Sequence, residues 1–318
     1  MSLRRFIAQR LLISIPVLFG VSVVTFALVH LTPGDIVDLM VGLNPDVQPG
    51  DADRLRRELG LDRPIYIQYL DWLAGVVQGD FGDTFGRGPD VATAIWTRLP
   101  ETIILGLFAW VIAIVISIPG GIYAAIRKGR LGDDASRVFA LVGISIPNFW
   151  LGLMLIAIFA VSFGWFPVLD PREPLFSRTM LWWLLLPGIT LGTASSAILM
   201  RIMRTSMAEE MNKEYVTAAR AKGLPERTVI LKHVLRNSLI SVTTVAAFLT
   251  AGIVSGAVVV EAVFGWPGLG LLFIDAILRR EVNLILAITL FTGVAIVIAN
   301  LLADIMYAIL DPRIREEY

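Results

Sequence analysis

No cysteine occurs among the 318 residues, which excludes disulfides and thiolate metal sites. Histidine is nearly absent as well: His30 and His233 are too few and too far apart to build a zinc site. Charge is scarce. Asp, Glu, Lys and Arg make up 17% of the chain and their formal charges sum to zero, so any electrostatic message lies in where the charges fall. A Gly-x-x-x-x-Gly-Lys-Ser/Thr loop is missing too. The chain therefore cannot cradle nucleotide phosphates by that route. Paired carboxylates, a Ser/His arrangement and a metal cluster are likewise missing, so nothing marks a catalytic centre.

What is present is oil. Hydrophobic residues are 56% of the chain and mean hydropathy is +0.74, against about 45–50% apolar residues in soluble domains. Six stretches are long enough to cross a bilayer, which takes about 20 apolar residues. They are Leu11–Leu31, Thr102–Ile126, Val138–Phe166, Met180–Met200, Asn237–Val260 and Val282–Ala303, and none contains Asp, Glu, Lys or Arg. A charge at mid-helix costs roughly 2.5–3.5 kcal/mol on insertion scales, so clean runs carry meaning. The first run is longer than the roughly 7–15 residues of a signal-peptide core and is read as a retained anchor. The fifth, with "TAGIVSGAVVV", is rich in Gly, Ser and Thr, a composition that suits close packing on other helices.

Six spans place both termini on one side. Taking that side as the cytoplasm puts 17 of the 27 Lys and Arg inside, and six of the rest lie in the long segment 32–98, where charge counts for little. The sequence thus predicts an all-α integral membrane protein with six transmembrane helices, both termini cytoplasmic, and a small external helical segment between helices 1 and 2. Residues 1–31 form the tail and first helix, 32–98 the external segment, and 99–318 the core. In the external segment, Asp51 or Asp53 can cap a helix ending at Gly60, and Pro64 can begin the next. Tyr66, Tyr69, Leu70, Leu73 and Val77 then recur at helical spacing. Two readings stand: a helical cap on the membrane face, or a docking surface for an external partner.

The largest inside segment, 205–236, holds "EYVTAARAKGLPERTVILKHVLRN". It reads as two short helices joined at Gly223-Leu224-Pro225. The first is shorter than the about 12–15 residues that an isolated helix needs in water. Gly223 suits a left-handed helix end and Pro225 a first turn, with Glu226 near the positive end of the second helix. Ala218, Ala219 and Ala221 leave a nearly bare surface that another backbone can approach. The segment is expected to gain its stability from a groove on another protein. Lipid headgroups meeting Lys213, Arg220, Lys222 and Arg227 are the competing reading, but they do not account for the alanines.

Together with "GAVVVEAVFGWPGLG", "ANLLADIMYAILDPRIR", "LGLDRPIYIQYLDWL", "GDFG" and "GISIPNFWLGL", this segment resembles the dipeptide/oligopeptide/nickel class of ABC-transporter permeases, over nearly the whole chain and in the same order. That family carries a Glu-Ala-Ala-x-x-x-Gly (EAA) pattern followed by Ile-x-Leu-Pro. Ala218, Ala219, Gly223 and Leu235 match it, while Thr217, His233 and Arg236 replace Glu, Ile and Pro. The helix–glycine–helix shape survives these departures; the carboxylate that would pair with a partner does not. The resemblance implies a coupling helix, with Thr217, Ala218, Ala219, Gly223, Leu224 and Glu226 docking on an ATPase. It implies as partners a second homologous permease, two ABC ATPase subunits, an external substrate-binding protein and the lipid membrane, with no nucleic acid. It implies a prokaryotic inner (cytoplasmic) membrane location, no cofactor and no enzymatic activity in this chain. In the same family the region of Trp266, Pro267, Gly268 and Gly270 contributes to the outer gate. The residues alone give a hairpin there, with Trp266 and Phe264 suited to the interfacial belt and Leu271–Leu278 as a short helix.

Prolines 119, 147 and 187 interrupt three spans. Ser145, Asn148, Thr190, Thr193, Ser195, Ser196, Thr244 and Ser255 either line a wet passage or bond helix to helix. Glu101, Glu261, Asp304, Arg201 and Arg204 lie near span ends, and Asp304 reads as a helix-end polar contact. An ion-coupled secondary transporter needs mid-membrane ionisable groups, which the spans lack. A membrane receptor would use the 205–236 loop to meet a signalling protein.

Overall fold

The computed structural model describes residues 3–31, 37–38, 49–58, 60–84, 88–166 and 178–310. Parts of the 32–98 segment and the family-like Asp311–Arg315 end lie outside the described residues. The described residues are helical, with one isolated bridge between Asp83 and Asp90. Five helices are long and apolar enough to cross a membrane, or six if a bent pair counts as one. The protein is therefore a multi-pass membrane protein. It divides into two compact units, Met1–Gln9 with Ile103–Trp266 and Ile296–Tyr318, and Arg10–Thr102 with Pro267–Ala295.

The first unit is built around α7, Arg178–Glu210, which packs against α9, Leu235–Phe264, and against α5, Leu131–Ser145. Small residues allow these close approaches. Gly188 and Gly192 stand one turn apart on α7. A methyl at Gly192 would sit 2.7 Å from the Ala109 carbonyl oxygen on α4, Val91–Ile126, and one at Gly188 would sit 2.5 Å from Phe108. Most of α7 is enclosed: 72% of its apolar stretch is buried, against 28% for the helix that includes the fifth predicted span. The Gly/Ser/Thr-rich fifth span does pack on α7, but along one side only. Its Ile253, Ala257 and Val260 are buried while Gly252, Ser255 and Val259 remain exposed, so its small residues fall on both faces.

The third predicted span is not one helix. α5 and α6, Asn148–Leu155, with a π-helical continuation Ile156–Ser162, meet at a 106° bend. The cause is local: Ile146 precedes a proline and takes φ −82°, ψ 123°, and Pro147 follows at φ −63°, ψ 137°. A residue before proline is pushed out of the helical region, and two consecutive extended residues end the helix. Pro119 and Pro187, by contrast, lie within unbroken helices.

In the second unit, α1, Leu3–Leu31, carries α3, Ile65–Gln78, and the start of α4 packs with α10, Leu269–Leu278, and α11, Val282–Leu310. The preceding α2, Pro49–Glu58, begins earlier than its aspartates predict, because a proline supplies the preset φ of a first turn. Asp51 and Asp53 are consequently inside the helix. Pro64 stands at the N-cap of α3, as its sequence position suggests.

Candidate functional site

The charged interruption folds as α8, Glu214–Ala221, then a turn through Gly223, then a helical turn at Glu226–Thr228. That turn runs through a π-helical stretch, Val229–Val234, into α9, giving an unbroken helix of 39 residues from Glu226 to Phe264. The second of the two expected short helices is therefore the base of a long one. Its stability comes from the span, since propagation of an existing helix costs far less than nucleation.

α8 is also better held than its length suggests. Val216 and Ala219 face inward and are buried with Met203, Met207, Val229 and Val234. The Tyr215 hydroxyl donates to Glu210 at 2.5 Å and accepts from Asn237 Nδ2 at 3.0 Å. Lys213 pairs with the same Glu210 carboxylate, which raises the ammonium above its ordinary pKa; burial and the bond to Glu210 likewise raise the Tyr215 phenol. Arg220 forks onto Glu226, Nε to Oε2 at 3.1 Å and Nη2 to Oε1 at 2.7 Å, and this bond holds the guanidinium pKa high. The bidentate pair closes the loop across Gly223. The segment is mostly exposed, as expected, yet one face is anchored in its own chain.

The other face is open. Thr217, Ala218, Ala221, Gly223, Leu224 and Glu226 are exposed. Of the sequence-predicted docking residues, five of six thus share this outward side and Ala219 alone turns in. Gly223 takes φ +75°, where side chains are disfavoured, and a methyl built there meets nothing within 4 Å. Backbone conformation, not crowding inside the chain, accounts for this glycine.

A second ionic feature escaped the sequence reading. Asp133, at the start of α5, is fully buried. Its Oδ2 accepts from Gly129 N at 2.9 Å, Arg137 Nη2 at 3.0 Å and Arg204 Nη2 at 2.9 Å, and Arg204 Nε bonds Oδ1. One carboxylate thereby fastens the α4–α5 turn and α5 to α7, the helix that leads into the loop. The i,i+4 spacing of Asp133 and Arg137 was the available signal; Arg204 is 71 residues away and nothing local announces it.

The four gate candidates fall in different surroundings. Trp266 is packed in the first unit with Leu105, Leu184, Ile253 and Val260, and its backbone N–H donates to the Glu261 carbonyl at 2.9 Å. Pro267, Gly268 and Gly270 belong to the second unit. There the Pro267 carbonyl accepts from Arg98 at 3.2 Å, and Leu269 N–H donates to the Thr102 hydroxyl at 2.8 Å. Of the candidate passage residues, Thr190, Thr193, Ser196, Thr244 and Ser255 bond carbonyls of their own helices at 2.6–3.2 Å.

Two families match the chain. One, described as "Binding-protein-dependent transport system inner membrane component", covers residues 117–316, and its N-terminal companion covers residues 3–106. The oligopeptide transport system permease protein AppB of Bacillus subtilis is 41% identical over 97% of this chain and 98% of its own length. The di/tripeptide transport system permease protein DppB of Pseudomonas aeruginosa is 38% identical, covering 98% of this chain and 99% of its own. The dipeptide transport system permease protein DppB of Escherichia coli K12 is 36% identical, with the same coverage.

Proposed function

Because the chain belongs to the binding-protein-dependent transport system inner membrane components, a family of transport permeases rather than enzymes, we propose that it forms half of the membrane pathway of an ABC importer for peptides. A second, similar permease forms the other half, two cytoplasmic ATPases supply the stroke, and an external binding protein delivers the substrate. Both termini and the 205–236 loop lie in the cytoplasm. Peptides are the substrate class because the relatives are named for oligopeptide, di/tripeptide and dipeptide transport.

One observation supports the coupling role above the others. The outward side of α8 is small, exposed and held rigid from within, which is what a helix needs to transmit a push rather than yield to it. Thr217 supplies no carboxylate, so recognition by the ATPase rests on shape and on Leu224 beyond the glycine.

The test uses a side chain that the protein's own packing does not need. Ala218→Trp leaves the fold intact, since Ala218 is exposed, yet it overfills a fitted groove. ATP-driven peptide uptake in vesicles containing the partner subunits should fall to background while the assembled amount of this chain is unchanged. Uptake at the wild-type rate would overturn the docking reading, and uptake that persists without ATP on a proton gradient would replace it with ion coupling.

A further inference from the structure

α3 presents three chemically distinct sides. The first is fixed on α1. Gln68 Oε1 bonds His30 Nε2 at 3.2 Å, Tyr69 OH bonds Ser22 Oγ at 2.9 Å, and the Tyr69 ring lies 5.2 Å from Phe26 and 6.3 Å from Phe19. Trp72 adds a ring contact to Phe26 at 6.4 Å. Phe19 to His30 is about 16 Å of helix at 1.5 Å per residue. That is roughly half the 30 Å hydrocarbon thickness of a bilayer. The contacts therefore run down the side of α1, not across its end.

The second side is apolar and open. Tyr66, Leu70 and Val77 are 64%, 58% and 80% exposed. With about 100° of turn per residue, they lie roughly 120° round the helix from Tyr69, Trp72 and Val76. The third side, about as far round again, carries Asp71 and Gln78, and Asp71 pairs with Arg63 at 3.1 Å.

We infer that α3 lies in the lipid of the leaflet at the His30 end of α1, with Tyr66, Leu70 and Val77 among acyl chains and the Arg63–Asp71 pair toward the headgroups and water. The occupant is lipid because the apolar side continues the exposed apolar surface of a helix long and apolar enough to cross a membrane. Only 11% of the apolar stretch of α1 is buried, and α3 rests on it at hydrocarbon depth. A water-soluble partner would have to enter the bilayer to reach the stripe. An apolar stripe opposite a charged edge is the pattern of an interfacial helix, and Tyr66 suits the boundary region. This inference makes no use of the coupling loop or the substrate, so it stands or falls apart from the function proposed above.

The chain contains no cysteine, so single-cysteine labelling is clean. Spin labels at Leu70→Cys, Val77→Cys and Asp71→Cys are read in the full chain in nanodiscs of phosphatidylethanolamine and phosphatidylglycerol. Collision with oxygen should exceed collision with a water-soluble nickel chelate several-fold at residues 70 and 77, with the order reversed at residue 71. Nickel-dominated collision at residues 70 and 77 overturns the inference in favour of water. Low collision with both reagents overturns it in favour of a protein cover.

Discussion

α1 and α7 are both apolar helices of about the same length, and they use that apolarity in opposite ways. α1 has 11% of its apolar stretch buried and shows Leu12, Ile15, Phe19 and Leu28 to the outside. α7, the less apolar of the two, is 72% buried. In a membrane there is no hydrophobic gain in turning leucine from lipid to protein, so tight association comes from small residues and hydrogen bonds. Gly188 and Gly192 let α7 approach Phe108 and Ala109 of α4 closely, whereas the leucines of α1 stay largely uncovered.

The largest expected effect lies where α7 meets a buried charge. Asp133→Asn leaves Arg204 without its carboxylate, and breaking a buried pair costs about 3–5 kcal/mol. The detergent-solubilised protein should unfold at markedly lower temperature, and Asp133→Asn with Arg204→Met should regain part of the loss. The comparison is sharpened next by one substitution made twice. Gly192→Ala drives a methyl against the Ala109 carbonyl oxygen, an overpacking expected to cost about 1–3 kcal/mol, whereas Gly20→Ala on α1 meets nothing within 4 Å and should be neutral or gain up to about 1 kcal/mol from helix propensity. Equal losses at both glycines, measured by thermal denaturation, would break the contrast. A smaller loss is expected at the attachment of α3: Tyr69→Phe removes the bond to Ser22 and should cost about 1 kcal/mol, visible as faster proteolysis between α2 and α4. The smallest effect is Arg220→Gln. Its partner Glu226 is 56% exposed, and exposed pairs contribute about 0–1 kcal/mol, so stability should barely move and any loss should vanish at high salt.

Hydropathy made the spans legible, because lipid imposes its requirement on each helix separately. The bend at Pro147 was only half legible: three prolines were visible, but which one breaks its helix depends on whether the residue before it also leaves the helical region, as Ile146 does. The outward side of α8 was legible from its alanines. Its inward side was not, since Val216 and Ala219 find their cover on the end of α7 and on Val229 and Val234, brought over them only when the chain doubles back. Asp133 and Arg204 illustrate the same limit, being 71 residues apart and opposed only after α5 and α7 pack.

The helix that leaves the loop at Glu226 and stops at Phe264 has 39 residues, about 58 Å at 1.5 Å per residue. A rod of that length has its foot beside the charged loop and its tip beside the left-handed Gly265 that turns the chain back. Tilting the foot by a few degrees sweeps the tip sideways by several ångströms, unless the wider coil of Val229–Val234 flexes first. The stiffness of six residues near the foot thus sets how much leverage reaches the far end.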